Sequence, residues 1–564
     1  MTLRRIAVLA PVAVLVFVIT GYVLYPLAMM CSVSLRVHGT LSVGHYLDLL
    51  DPGHTGNMEA VWNSVSVSIL SVAASGAVGV FLAFVFTQLD FPLKRLLSRV
   101  AILPIALPPL VGVIAFLFVF GDSGILPRSA QWLFGLPRAP FSLNGIPAIV
   151  VVHAYSFYVY FYLFVSTALR QLDASLVEAA ANLGSSHWRT FARVVLPEIR
   201  PALVGASALT FMASMASFSA PFLFAGGRRF ITLQIYTTKL NGDMNLAAAQ
   251  AMLLLAVSLA FFASLNASAG SRLTFGRSKG ASGTRTLAVS GTARTAMVSG
   301  AVVLLCLGIL PIITIVLISF AREGSWTSQI LPAEYTAENY LKLFADPDVF
   351  QPFVNSVEMG MLTVGASLVV GVSGAYLVTK GALKRARGAF DLLLTLSYAI
   401  PGTVVALGMI LAFNRPTLFS GFTVLVGTFW ILPLAYFVRE YPLVVRSTVA
   451  ALESLDDSLI EAGKSFGAGT FRRFRVIILP LILPGIVSGC LLTMIAAVGE
   501  FVSSILLYAY SSRPISIEIL SQLRTFNFGT ASAYSVLLLL LILGCVYLAS
   551  LITRRNEARV PSRA

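Results

Sequence analysis

Residues 172–201, LDASLVEAAANLGSSHWRTFARVVLPEIRP, recur at residues 455–484 as LDDSLIEAGKSFGAGTFRRFRVIILPLILP, at a constant shift of 283 positions and without a gap. The identities include Leu172/Leu455, Asp173/Asp456, Ser175/Ser458, Glu178/Glu461, Ala179/Ala462, Gly184/Gly467, Arg189/Arg472, Phe191/Phe474, Pro197/Pro480 and Pro201/Pro484. A repeat of this kind fixes the architecture before any single element is assigned, because each copy marks one half of the chain.

The composition says what the halves are made of. Of the 564 residues, 57% are apolar and only 11% charged, against about 25% charged in soluble domains. Runs long enough to cross a bilayer, roughly 20 residues each, occur at about 7–30, 60–86, 100–120, 147–169, 201–226 and 246–267, and again at 296–320, 354–379, 389–412, 419–438, 485–509 and 531–552. The expected fold is therefore an all-α integral membrane protein built from two tandem repeats of about six transmembrane helices. The expected domains are a first half at 1–267 with its loop at 172–201, a polar linker at 268–295 rich in Gly, Ser and Arg, and a second half at 296–564 with its loop at 455–484.

With both termini inside, most of the 39 Lys and Arg residues fall on the cytoplasmic side, as the positive-inside rule requires. The net charge of +15 is thus topological, and nucleic-acid binding is not needed to explain it. Cys31, Cys306, Cys490 and Cys545 are scattered through apolar segments with neither metal spacing nor a pairing pattern. Arg4 and Arg5 followed by an apolar run to about Met30 exceed the length of a signal-peptide core and read as an uncleaved first span.

The halves correspond outside the opening stretch as well. Asn63-Ser64-Val65 matches Asn355-Ser356-Val357, and Ala106-Leu107-Pro108 matches Ala399-Ile400-Pro401, both at a slightly larger shift. The first half accordingly carries extra residues, which fall in the outer loop between Gly121 and Pro147, where length is tolerated. An even number of spans separates the copies, so the two repeats share one orientation in the membrane.

Ser175 and Glu178, and likewise Ser458 and Glu461, have the spacing of a capping box, which predicts a short helix starting at each serine. Apolar residues at Leu172, Leu176, Ala179 and Leu183, and at Leu455, Leu459, Ala462 and Phe466, form the stripe of an amphipathic helix. Gly184 and Gly467 sit where such a helix ends in a residue of positive φ. A second short amphipathic stretch follows, carrying Trp188, Phe191 and Val194 or Phe471, Phe474 and Ile477, and Pro197 and Pro480 are expected to interrupt it. Each copy therefore reads as helix, glycine turn, helix on the cytoplasmic face, and two copies at matching positions suit a partner that docks twice.

These residues resemble the inner-membrane permeases of binding-protein-dependent ABC importers. That family's motif is Glu-Ala-Ala, three residues, Gly, nine residues, Ile or Val, one residue, Leu-Pro or a close variant. Glu178, Ala179, Ala180, Gly184 and Pro197 match it, as do Glu461, Ala462, Gly463, Gly467 and Pro480, with Gly463 in place of the second alanine. The resemblance implies the type I importer permease fold, in which this loop is a coupling helix seated on an ATPase subunit. It further implies two copies of a cytoplasmic ABC ATPase that use ATP and magnesium, and an extracytoplasmic solute-binding protein. It places the chain in the lipid bilayer of a bacterial inner membrane, with no cofactor or metal of its own. Finer likeness in 103–116, 224–249 and 499–534 is to the fused permeases of ferric-iron importers, which are similar to those for thiamine and aminoethylphosphonate. Because the second copy has Glu-Ala-Gly-Lys where the first has Glu-Ala-Ala-Ala, and carries Arg472, Arg473 and Arg475, mutation of the two copies is expected to have unequal effects.

Other motifs weigh less. Ala462-Gly463-Lys464-Ser465 looks like the end of a phosphate-binding loop, but the required earlier glycine is Ser458 and no strand precedes it, so ATP hydrolysis is expected from another polypeptide. Glu500 is the deepest ionisable residue in the spans, and its counterpart in the first half is Ser217. Two readings are open for this pair: a lining of the translocation path, or a polar group that holds helices together. His153, alone in an apolar run, reads as a satisfied core histidine. An ion-coupled secondary transporter is the rival class, and it should carry acidic or histidine relays that the spans otherwise lack.

Overall fold

A computed structural model of the chain describes residues 12–37, 39–51, 53, 55–269, 291–326, 329–380, 388, 390, 393, 397 and 399–557. Most of the linker expected at 268–295 and part of the beginning of the ninth span expected at 389–412 lie outside the described residues. Among the described residues the only β-structure is the short antiparallel pair Arg36–Val37 with Thr40–Leu41 and one bridge between Ala321 and Tyr335.

The main helices of the first half are α1 (Val12–Ser34), α2 (Thr55–Gln88), α3 (Pro109–Phe120), α4 (Gly145–Gln171), α5 (Ala174–Asn182), α6 (Trp188–Met215), α7 (Ser219–Phe224), α8 (Ile231–Leu240) and α9 (Met244–Ala269). The second half repeats them as α10 (Gly291–Ser319), α11 (Pro347–Thr379), α12 (Gly402–Phe413), α13 (Ile431–Glu453), α14 (Asp457–Ser465), α15 (Phe471–Val498), α16 (Val502–Leu507), α17 (Ile515–Arg524) and α18 (Phe528–Glu557). Ten helices among the described residues are long and apolar enough to cross a membrane. This is the all-α, twice-repeated membrane architecture that the composition implied.

Four spans depart from their sequence expectation, each for a local reason. The third was expected to run over 100–120, but Leu103–Ala106 is a lone 3-10 turn and α3 starts only at Pro109, because Pro104, Pro108 and Pro109 remove the donors a continuous helix needs. With 12 residues, α3 and α12 each reach about 18 Å; α3 attains spanning length only together with the helix Ile125–Leu133 that follows it, whereas α12 is a shorter apolar helix. The tenth was expected at 419–438 and lies instead at Ile431–Glu453. Gly421, Phe422 and Gly427 adopt φ of +62°, +60° and +83°, so the apolar residues before Ile431 form a loop, and the helix runs on through the charged Arg439 and Glu440.

The fifth span is also different in extent. Pro197 and Pro480 do not interrupt the chain: Phe191–Val195 and Phe474–Ile478 are π-helical turns that join the repeated segments to the spans, so that α6 and α15 run unbroken from Trp188 and Phe471. The wider turn shifts the hydrogen-bond register just ahead of each proline, which has no N–H to contribute. Both helices then stop at Met215 and Val498 rather than continuing through 226 and 509.

The chain forms two compact units. One comprises Val43–Asp243 and Gln250–Tyr335, the other Met1–Ser42, Met244–Ala249 and Thr336–Ala564. Each unit thus holds the bulk of one half together with the first helix of the other half. In the first unit α2, α4 and α6 pack together, with Leu82, Phe86, Val152, Val159 and Ile199 at the centre, and Ala301 and Leu305 of α10 complete that core. In the second unit α11, α13 and α15 do the same around Met359, Val370, Tyr441, Val445 and Ile482, and α1 lies on α12. There Tyr22 donates to the Phe419 carbonyl at 3.0 Å, and the Phe17 and Tyr25 rings pack on Phe419.

In a bilayer these helices associate through close packing rather than water exclusion, which favours small residues at crossings. A Cβ at Gly79 would lie 2.4 Å from the Tyr158 carbonyl oxygen, and one at Gly371 would lie 2.7 Å from Val444 Cγ1. The two glycines therefore seat the α2–α4 and α11–α13 crossings.

Candidate functional site

The repeated element at 172–201 and 455–484 has nearly the same geometry in both copies. Its first helix, α5 or α14, begins one turn position earlier than the capping-box reading placed it. The cap is an aspartate: Asp173 Oδ1 accepts the Ser175 N–H at 2.9 Å, and Asp456 Oδ1 accepts the Ser458 N–H at 3.0 Å. Aspartate satisfies an orphan donor at a helix start as well as serine does, and the acidic residue lies two positions upstream of the serine that the spacing had selected. The Ser175 N–H, and then the Ser175 hydroxyl, hold the Asp173 carboxyl below its usual range.

Both helices end as expected. Gly184 and Gly467 adopt φ of +73° and +75°. The N–H of Ser185 reaches back to the Ala180 carbonyl, and that of Ala468 to the Gly463 carbonyl, each at 3.0 Å, closing the six-residue loop of a Schellman end. Glu178, Ala179, Glu461 and Ala462 are exposed on these helices, whereas Ala180 is half-buried and Gly463 buried. Pro197 and Pro480 take the second position of the helix after the π-turn. Lys464 and Ser465 lie within α14, a helix rather than a phosphate-binding loop.

Sequence reasoning missed the most exposed part of this element. Leu183 and Trp188 are 86% and 75% exposed, and their repeat partners Phe466 and Phe471 are 91% and 76% exposed. A large apolar pair flanking the glycine turn at matching positions is the kind of patch that marks a protein-protein contact. The signal was present, since both members of each pair are large and apolar in both copies, but periodicity assigned them to the packed stripe. The second copy has one further tie: Lys380, at the end of α11, donates to the Asp457 carboxylate.

The second candidate feature lies at the C-terminal ends of α6 and α15, where a turn precedes the short α7 or α16. Ser217 and Glu500 occupy that turn in their respective units. The Ser217 carbonyl accepts from Thr232 Oγ1 at 2.9 Å, and the Glu500 carbonyl accepts from Ser516 Oγ at 2.9 Å. The next elements, α8 and α17, are stapled to α2 and α11 by the matched pairs noted in sequence. Asn63 Nδ2 donates to the Arg229 carbonyl and Asn355 Nδ2 to the Arg513 carbonyl, both at 3.0 Å. The Ile231 N–H donates to Ser64 Oγ at 3.0 Å, and the Ile515 N–H to Ser356 Oγ at 2.8 Å.

Side chains at the turn differ in kind. Ser217 Oγ lies 2.8 Å from His153 Nε2, while His153 Nδ1 lies 3.0 Å from Ser71 Oγ and 3.1 Å from Ser214 Oγ, so the histidine is a hydrogen-bonded core residue. Glu500, 7% exposed, accepts from Arg439 Nη1 at 2.6 Å and from the Ser503 N–H at 2.7 Å. Of the two readings open for Glu500, this geometry carries the one in which it ties helices together. Arg439 escaped the sequence reading because it was placed just beyond a span that in fact contains it.

Each half thus carries the same capped, glycine-ended helix, joined through a π-turn to one continuous long helix that ends in a break. The sequence profile of the binding-protein-dependent transport system inner membrane component matches residues 75–272 and again 367–560. The chain belongs to that family. Among similar proteins, this permease is 28% identical over 469 residues to the "Probable ABC transporter permease protein y4fN" of Sinorhizobium fredii, covering 82% of this chain and 81% of the relative. It is 24% identical over 555 residues to the ferric transport system permease protein FbpB of Actinobacillus pleuropneumoniae, covering 97% and 78%. It is 32% identical over 197 residues to the sulfate transport system permease protein CysT of Escherichia coli, covering 34% and 69%. The protein is thus a multi-pass ABC importer permease with the family domain fused twice in one chain.

Proposed function

We propose that this permease carries ferric iron, delivered by an extracytoplasmic binding protein, across the bacterial cytoplasmic membrane, with both of its termini in the cytoplasm. Two copies of a separate ABC ATPase dock at α5 and α14, hydrolyse ATP with magnesium, and move the coupling helices, which pull α6 and α15 directly through their π-turns. The chain itself makes and breaks no covalent bond.

The observation that carries this reading is the doubled docking element, with its capped helix, glycine turn and exposed apolar pair at the same place in each half. For the substrate, support comes from the ferric permease likeness along nearly the whole chain, whereas the sulfate permease likeness covers about a third of it. The test is reconstitution in proteoliposomes with a candidate ATPase and binding proteins for ferric iron, thiamine, aminoethylphosphonate and sulfate. ATP-dependent uptake of iron with the ferric-binding protein alone is the expected result. ATP-dependent uptake of another solute would reassign the substrate, and uptake without ATP hydrolysis would replace the importer reading with an ion-coupled transporter. Coupling that survives replacement of both Gly184 and Gly467 by bulky residues would overturn the docking assignment.

A further inference from the structure

The two turns that end α6 and α15 are clamped by different chemistry. In the first unit the clamp is neutral: His153 on α4 holds Ser217 at 2.8 Å. In the second it is ionic: Arg439 on α13 holds Glu500 at 2.6 Å. The repeat sets Ser156 opposite Arg439 and Ser217 opposite Glu500, so neither charge has a counterpart in the first half. Glu440 adds to the second site, with Oε1 3.7 Å from Arg439 Nε and a side chain that is nearly inaccessible.

Room for this clamp is built in from a third helix. A Cβ on Gly402, the first residue of α12, would fall 2.5 Å from Arg439 Nη1 and 3.2 Å from Val502 Cβ. Ser503 Oγ donates to the Gly402 carbonyl at 3.3 Å. A side chain at 402 would therefore crowd the guanidinium in the position from which it reaches Glu500. A broken helix at membrane depth has an interrupted hydrogen-bond ladder and moves at lower cost than a continuous one. The group that clamps the break then sets how readily it moves. A buried ion pair resists separation more strongly than a neutral hydrogen bond, because parting it leaves an uncompensated charge.

We propose that Arg439 is a positioning residue of the transport cycle: through Glu500 it locks the α15–α16 break, so that the break in the second half yields less readily than the α6–α7 break in the first. The proposal rests on the importer reading for its role in transport, but not for its structural content.

Backbone hydrogen exchange of the full chain in lipid nanodiscs tests it, comparing peptides spanning 498–507 with those spanning 215–224. R439Q and E500Q should each raise exchange at 499–507 by about ten-fold or more, and R439K should bring it back near wild type. S217A should raise exchange at 216–224 by a smaller factor. E500Q keeps an acceptor for the Ser503 N–H and serves as the informative variant if R439Q does not fold. With the ATPase bound, R439Q should raise hydrolysis without binding protein relative to hydrolysis with it, a ratio that general destabilisation would leave unchanged. The proposal is overturned by unchanged exchange at 499–507 in both variants, by R439K behaving as R439Q, by equal increases at the two breaks, or by parallel loss of both hydrolysis rates. A wild-type chain that no binding protein stimulates would refute the importer reading and leave the exchange result to stand or fall alone.

Discussion

Gly463 and Ile477 share one packing site: a Cβ on residue 463 would fall 2.5 Å from Ile477 Cδ1. The corresponding residues of the first copy are Ala180 and Val194, so there the methyl belongs to the helix and the facing side chain is one carbon shorter. The departure from Glu-Ala-Ala in the second copy is thus an exchange of a methyl between two partners. G463A should cost a net of about 1 kcal/mol, the overpacking penalty of roughly 1–3 kcal/mol being offset in part by better helix propensity. G463A/I477V should return to wild type or better. Thermal unfolding of the purified protein checks both, and a double variant no more stable than G463A would refute the shared-site account.

Truncating the exposed pairs should separate docking from stability. L183A/W188A and F466A/F471A remove side chains that touch little of their own chain, so melting temperature should shift by less than about 2 °C. Co-purification with the ATPase should fall by about ten-fold for each double variant, and by unequal amounts, since the surrounding charges differ. Equal losses would count against functional asymmetry of the two copies.

The Asp173 cap gives a pH expectation with a definite sign. Its carboxyl titrates below the ordinary 3.8 because the charged form is the one that accepts from Ser175. A group whose folded pKa is depressed stabilises above its unfolded pKa and loses that contribution as pH falls through the folded value. Exchange protection at the start of α5 should therefore be flat from about pH 8 to pH 5 and decline only below 3.8. D173N, which keeps an acceptor, should lack this acid dependence; a loss of protection centred near neutral pH would assign it to another group.

Breaking the staples at α8 and α17 should be more damaging. N63A and N355A each leave a backbone carbonyl without its donor, at a cost of about 1–3 kcal/mol apiece. Limited proteolysis should show new cleavage near 226–230 in the first variant and near 509–514 in the second. Cleavage that appears elsewhere, or not at all, would show that the serine bonds suffice.

What the sequence made legible is what is local and repeated. The glycine ends at Gly184 and Gly467, the matched Asn-Ser pairs and the two-half architecture all follow from short-range pattern seen twice. Asp173 is missed because two residues two positions apart can each cap a helix start and spacing alone selects the wrong one. Arg439 was lost to an apolar run that continues into the loop at Gly421 and Gly427, which hydropathy does not distinguish from a span. The clamp on Glu500 joins residues 61 apart in sequence, and the contacts of α1 with Phe419 join residues nearly 400 apart; no periodicity reports pairings at that range.

The placement of α1 with the second half has a consequence for biogenesis. Tyr22 meets the Phe419 carbonyl across 397 positions, so at about 5–20 residues per second the ribosome works for roughly 20–80 s between making one partner and the other. During that interval α1 has only lipid, or the insertion machinery, against the face it will later bury. A ribosome that stalls in the linker would release a first half lacking both the partner of α1 and the α10 that completes its own core. An unfinished chain is therefore marked by an α1 whose buried face has no partner.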